Sequence, residues 1–190
     1  MGTLIAGLAV FFANHSVSIV APGWRDRVAA RIGVAAWRGL YSLVSLAGLA
    51  LIIHGFALSR AAPIVLYTPG RALHLVAIVL MVPVFPLLFA AYLPGRIRSA
   101  ARHPMLVAIK LWAVAHLLAN GMAADVLLFG GFLAWAVIDR ISLKRRPVKA
   151  VAGAKPGRWN DLLAVALGIA VYALMLGWAH QRLLGVAPLS

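Results

Sequence analysis

Cysteine is absent from this 190-residue chain. That removes disulfides, iron–sulfur clusters, thiolate ligation of haem iron and covalent c-type haem attachment. Glutamate is absent as well, and the only acids are Asp26, Asp125, Asp139 and Asp161. A zinc site of the His-Glu-x-x-His kind needs a glutamate base and is excluded. The four aspartates are scattered at helix ends or in loops, which argues against a paired-carboxylate hydrolase and against a relay of buried carboxylates. Charge of either sign is scarce: 12% of residues are charged, 64% are hydrophobic, and the mean hydropathy is +0.96. Soluble domains are nearer half apolar and a quarter charged, so the composition is that of an integral membrane protein.

Six apolar segments follow, at 3–21, 37–58, 72–93, 104–121, 123–139 and 161–183. At about 20 residues per span, they use about 120 residues and leave only loops. The expected fold is all-α: one polytopic transmembrane helical bundle of about six spans covering 1–190. Pro83 and Pro86 should kink the third segment. Ala119-Asn120-Gly121 should make the fourth and fifth into a helical hairpin. The first segment has no basic residue before it, so it reads as a retained anchor rather than a cleaved signal peptide.

The net charge of +14 would suit nucleic-acid binding if it lay on one face. Instead the basic residues sit in short loops between apolar runs, which fits topology control, attraction to anionic lipids and no nucleic-acid partner. Counting alternate loops places 14 Lys and Arg on one side and 3 on the other. By the positive-inside rule the basic side is cytoplasmic and both termini face out. The stretch 140–160 is then a basic cytoplasmic loop, the longest polar connection and the one expected to be most mobile.

Ionisable groups within spans are costly and mark candidate sites. Lys110 lies about 9 Å into its helix and can snorkel. Six histidines are present: His15, His54, His74, His103, His116 and His180. Imidazole is the commonest side-chain metal ligand and ligates haem iron. His15 lies within the first segment and His116 within the fourth. Trp112, His116 and Asn120 recur every fourth residue and form one stripe, which should face the bundle interior. Each histidine alone reads as an interhelical hydrogen-bonding group. Together, two deep histidines on different spans make an axial pair, with His116 and His54 as a competing pair that depth does not reject. Tyr41, Ser42, Ser45 and Gly48, and likewise Gly130 and Gly131, read as small or hydroxyl-bearing contact positions between helices.

Several blocks carry a resemblance. They are Asn14-His15-Ser16, Ala21-Pro22-Gly23-Trp24-Arg25, and Trp37-Arg38-Gly39-Leu40-Tyr41-Ser42. The longest runs from Arg102-His103-Pro104 through Lys110-Leu111-Trp112-Ala113 to Ala115-His116-Leu117-Leu118-Ala119-Asn120-Gly121, and on into Phe129-Gly130 and Leu133-Ala134-Trp135-Ala136. Over residues 1 to about 140 the chain resembles the NnrU family. That family comprises bacterial inner-membrane proteins associated with nitrite and nitric oxide reductase gene clusters, and is similar to the plant zeta-carotene isomerase, which binds haem b. The resemblance implies haem b on His15 and His116, with Trp112, Asn120 and Lys110 in support. It implies partners in the nitrite and nitric oxide reductase system, and a role in denitrification as sensor or assembly factor. It leaves two alternatives: a haem-dependent cis-trans isomerase of a carotenoid-like polyene, and a cofactor-free scaffold or transporter. The isomerase's cysteine ligand falls on Ala113, so a switch to sulfur ligation is closed to this chain. Arg102-His103-Pro104 also resembles a methyltransferase segment, but no glutamate exists to complete that site, and a helix start explains it.

Overall fold

A computed structural model describes residues 1–146 and 153–189. Lys149 and the middle of the 140–160 loop lie outside the described residues. The chain divides into two compact units: Met1–Tyr67 with Gly121–Gly131, and Thr68–Asn120 with Phe132–Ser190. Among the described residues the regular structure is helical, as composition demands, and the single extended pairing is one bridge between Val65 and Met122.

In the first unit, α1 (Gly2–Val20) packs along α3 (Val34–Ala61), with the short α2 (Pro22–Ile32) between them in sequence. The two long helices approach closely because glycines face the partner backbone. A Cβ built on Gly7 would lie 2.6 Å from the Ile52 nitrogen, and one on Gly55 would lie 2.3 Å from the Leu4 nitrogen. Gly48 meets Phe11 in the same way. The contact strip of α3 therefore runs Ser45, Gly48, Ile52, Gly55, Ser59, at alternating steps of three and four. Small residues let van der Waals packing act between helices where lipid removes the hydrophobic drive. Asn14 adds specificity at the far end by donating Nδ2–H to the Tyr41 carbonyl at 2.9 Å and to Ser45 Oγ at 2.8 Å. Ser45 and Gly48 thus pack as expected, whereas Ser42 is exposed. Gly131 packs on Phe12, but a Cβ on Gly130 would meet nothing, so Gly130 is not a packing position.

α2 was expected to be loop. Pro22 at the first helical position fits a helix start, and Gly33 at φ 89° ends it in the left-handed region. It contains no buried residue.

In the second unit, α4 (Arg71–Met81) and α5 (Val84–Ala90) are one apolar segment broken at Val82 and Pro83, as the prolines required. α6 (Arg96–Ala101) leads to α7 (Pro104–Ala119), and α9 (Asn160–Leu174) packs on α5. There Gly168 lets α9 reach Pro86, whose nitrogen would lie 2.3 Å from an added Cβ. α9 continues through a π-helical turn, Met175–Ala179, into α10 (His180–Leu184). α8 (Ala123–Ser142) follows α7 after three residues. The Trp112 and Phe132 rings meet edge to face at 5.5 Å within the second unit.

Four helices or helix pairs are long and apolar enough to cross a membrane: Gly2–Val20, Val34–Ala61, Arg71–Ala90 and Asn160–Leu184. Of the other two expected spans, α7 has 16 residues, and at 1.5 Å per residue it covers about 24 Å of a hydrocarbon core about 30 Å thick. α8 carries Asp125, Asp139 and Arg140 and is not among the four. The protein is a multi-pass membrane protein by these criteria.

The connections pair with one another in two sets. The Ile64 carbonyl accepts from the Ala123 amide, and the Gly121 carbonyl accepts from the Leu66 amide at 2.8 Å, so 64–67 lies against 121–123. Elsewhere Asn160 donates to the Pro94 carbonyl, Asp161 accepts from the Arg96 and Ile97 amides, and the Ala154 amide donates to the Tyr92 carbonyl.

Candidate functional site

His15 stands on the third turn of α1 beyond Leu4, on the flank that faces α3. Its Nδ1–H donates to the Phe11 carbonyl at 2.8 Å. The Phe11 ring stacks on the imidazole at 4.0 Å and 20°, and the Tyr41 ring meets it at 5.3 Å and 60°. His15 is half-buried. Its orientation is set from both sides: the stack holds the plane of the ring, and the backbone bond holds its rotation.

His116 repeats the arrangement on α7. Its Nδ1–H donates to the Trp112 carbonyl at 2.8 Å, and the Trp112 ring lies 5.3 Å away. The His116 carbonyl in turn accepts from Asn120, through Nδ2 at 2.9 Å and through the backbone amide. The Trp112, His116 and Asn120 stripe is therefore a continuous hydrogen-bonded edge that ends the helix. Asn120 at the C-cap is extended, which stops α7. Ala113 is fully buried beside this edge.

In both places an aromatic residue precedes the histidine by one helical turn, and the carbonyl of that aromatic residue takes the Nδ1 proton. A donating Nδ1–H places the lone pair on Nε2, the nitrogen that ligates. Metal-binding histidines are usually fixed by such an outer bond.

His15 belongs to the first unit and His116 to the second. His54 is exposed on α3, off the strip that packs on α1. Lys110 is half-buried, and among the described residues it has no ion-pair partner. No group of three or more metal-ligating side chains occurs among the described residues.

Sequence reading passed over His180. It lies 6.5 Å from His116, ring to ring, with planes 27° apart, and its Nδ1–H donates to the Val186 carbonyl at 2.7 Å. The π turn immediately before it shifts the register of the last helix. Such bulges gather at functional sites, but nothing in the sequence marks one here.

His103 is half-buried at the start of α7. Burial, aided by the nearby Arg140, Arg102 and Arg146 charges, holds its imidazole below the usual value, while Asp139 opposes this. Arg102 before it takes φ 58°, with the His103 amide donating to the Ala101 carbonyl across a tight three-residue turn. The helix-start reading of Arg102-His103-Pro104 holds, with Pro104 opening α7.

The sequence matches the NnrU protein family over residues 3–188. The chain belongs to the NnrU family. The match runs through α9 and α10, beyond the first 140 residues that carry the recognisable blocks, so the last span is part of the NnrU domain. No curated protein and no solved structure matched the chain.

Proposed function

We propose that this NnrU-family protein holds haem b in a bacterial inner membrane, on His15 and His116, and serves denitrification in the sensing or assembly of nitrite and nitric oxide reductases. One observation carries the cofactor reading: both histidines are fixed through Nδ1 by the carbonyl of an aromatic residue one turn earlier, which gives each the tautomer a ligand needs. Phe11, Tyr41 and Trp112 supply aromatic surface of the kind a porphyrin packs on. Asn120 and Trp112 act as positioning residues through His116. The haem would supply an iron site for a diatomic nitrogen oxide. Ala113 offers no sulfur ligand, which speaks against the isomerase's route with a carotenoid-like polyene and for a binding role. The role in denitrification rests on the family, as does any partnership with reductase proteins.

The proposed topology is six spans with both termini outside. The two sets of paired connections support it. Residues 64–67 and 121–123 belong to connections that the loop count places outside. Residues 92–97 and 154–161 belong to connections it places inside.

A second ligand assignment has its own observation. The His116 and His180 rings lie 6.5 Å apart within the second unit, and His180 would supply the second imidazole. The test is the absorption spectrum of the purified protein, expressed with haem supply, before and after dithionite. We expect a Soret band with split reduced α and β bands, disturbed by His15→Ala and by His116→Ala. Loss on His180→Ala with His15→Ala silent would move the second ligand to His180. A colourless protein that takes up no added haemin would overturn the cofactor reading.

A further inference from the structure

Two of the family-like blocks, 21–25 and 37–42, meet the histidine arrangement only through Tyr41. The fold brings them together at one cavity of about 330 Å³, lined by Ser18, Arg25, Trp37, Arg38, Tyr41 and Ser42. All six belong to the first unit. The cavity lies where α1 ends, α2 turns away and α3 begins, so it sits at the edge of the paired apolar helices.

Its chemistry is cationic and rich in hydroxyls. Arg25 is held in place: its Nε donates to Asp26, its Nη1 donates to Ser18 Oγ at 3.1 Å, and its side chain is only 16% exposed. Arg38 is exposed and, among the described residues, has no ion-pair partner. Residues 22–42 carry four arginines against one aspartate. The half-exposed Trp24 meets Trp37 edge to face at 6.0 Å. Indole rings of this kind settle at the headgroup level of a bilayer, and guanidinium forks match phosphate oxygens. A short basic helix with no buried residue and with Trp24, Val28 and Ile32 along it is the kind that lies in the interface plane.

We propose that this cavity binds the phosphate of an anionic phospholipid headgroup, with α2 lying in the interface as its outer wall. Arg38 supplies the uncompensated charge, Arg25 and the hydroxyls of Ser18, Tyr41 and Ser42 supply oriented donors, and the apolar flanks of α1 and α3 take the acyl chains. The proposal requires no haem, although Tyr41 also meets His15.

The test is native mass spectrometry of the full chain in detergent, titrated with phosphatidylglycerol, phosphatidylcholine or inorganic phosphate. Wild type should retain phosphatidylglycerol in preference to phosphatidylcholine. Arg38→Gln should weaken that retention about fivefold, the usual effect of one basic residue at an anionic surface. Ser42→Ala should weaken it less, and Arg71→Gln, remote in the sequence on α4, should leave it unchanged. Arg38 and Ser42 are both exposed, so the fold survives either change, and a melting curve checks this. Equal loss in Arg38→Gln and Arg71→Gln would reduce the effect to diffuse charge and overturn the site. Displacement of the lipid by equimolar inorganic phosphate would make it a small-anion site. Retained lipid in Arg38→Gln with a weakened Soret band would assign the cavity to porphyrin carboxylates. Each of these outcomes overturns the proposal.

Discussion

At the residue scale, close approach and local charge dominate. Gly55 sits against the Leu4 backbone, which cannot yield as a flexible side chain would. Gly55→Val should therefore destabilise the protein by about 1–3 kcal/mol, the usual cost of overpacking. Gly130→Ala, which meets open space, should not lower the melting temperature in detergent. His103 gives a pH prediction. Its folded pKa is depressed relative to about 6.5 in the unfolded chain. The unfolded state then binds the extra proton first as pH falls, so stability is full above that value and declines as pH drops through it. His103→Gln should flatten the slope of melting temperature between about pH 5 and 7 relative to wild type. An unchanged slope would mean that the folded chain does not penalise the imidazolium.

At the scale of elements, α6 is too short to stand alone and is held from outside. Asp161, at the start of α9, accepts from the Arg96 amide at 2.8 Å and the Ile97 amide at 3.0 Å, while Asn160 ties down the Pro94 carbonyl. Asp161→Ala removes a charged acceptor for two amides, a loss of about 1.5–3 kcal/mol per such group when buried and less here, where Arg96 is exposed. Faster amide exchange confined to 94–102 is the expected result, read by hydrogen-exchange mass spectrometry. Exchange unchanged there would show that the α6 turn holds without the carboxylate.

For the whole molecule the testable property is which side each connection faces. The native chain has no cysteine, so single-cysteine labelling needs no background removal. Cysteines at Lys155 and Arg98 should react only from the cytoplasmic side of inverted vesicles, and one at Thr68 only from the other. Labelling of Thr68 and Lys155 from one side would remove the six-span arrangement and favour a count in which only one of α7 and α8 crosses.

Sequence by itself determined the class and most of the elements. Hydropathy with so few charges permits little but helices in lipid, since each backbone polar group must be satisfied within its own segment. The proline break in the third segment and the Asn120 stop of α7 follow from local chemistry that needs no partner. His15 and His116 stood out in the sequence as histidines deep in separate apolar segments, although the hydrogen bonds that fix their rings were not legible there. Helix α2 was hidden because its stretch is polar and short and gives no long apolar run. Only the tertiary structure placed His180 beside His116, brought Ser18, Arg25 and Arg38 to one open cavity, and set Asp161 against the Arg96 amide. Those juxtapositions depend on how closely the helices approach, which at the α1–α3 and α5–α9 contacts is set by glycines against a partner backbone, a quantity that no single segment encodes.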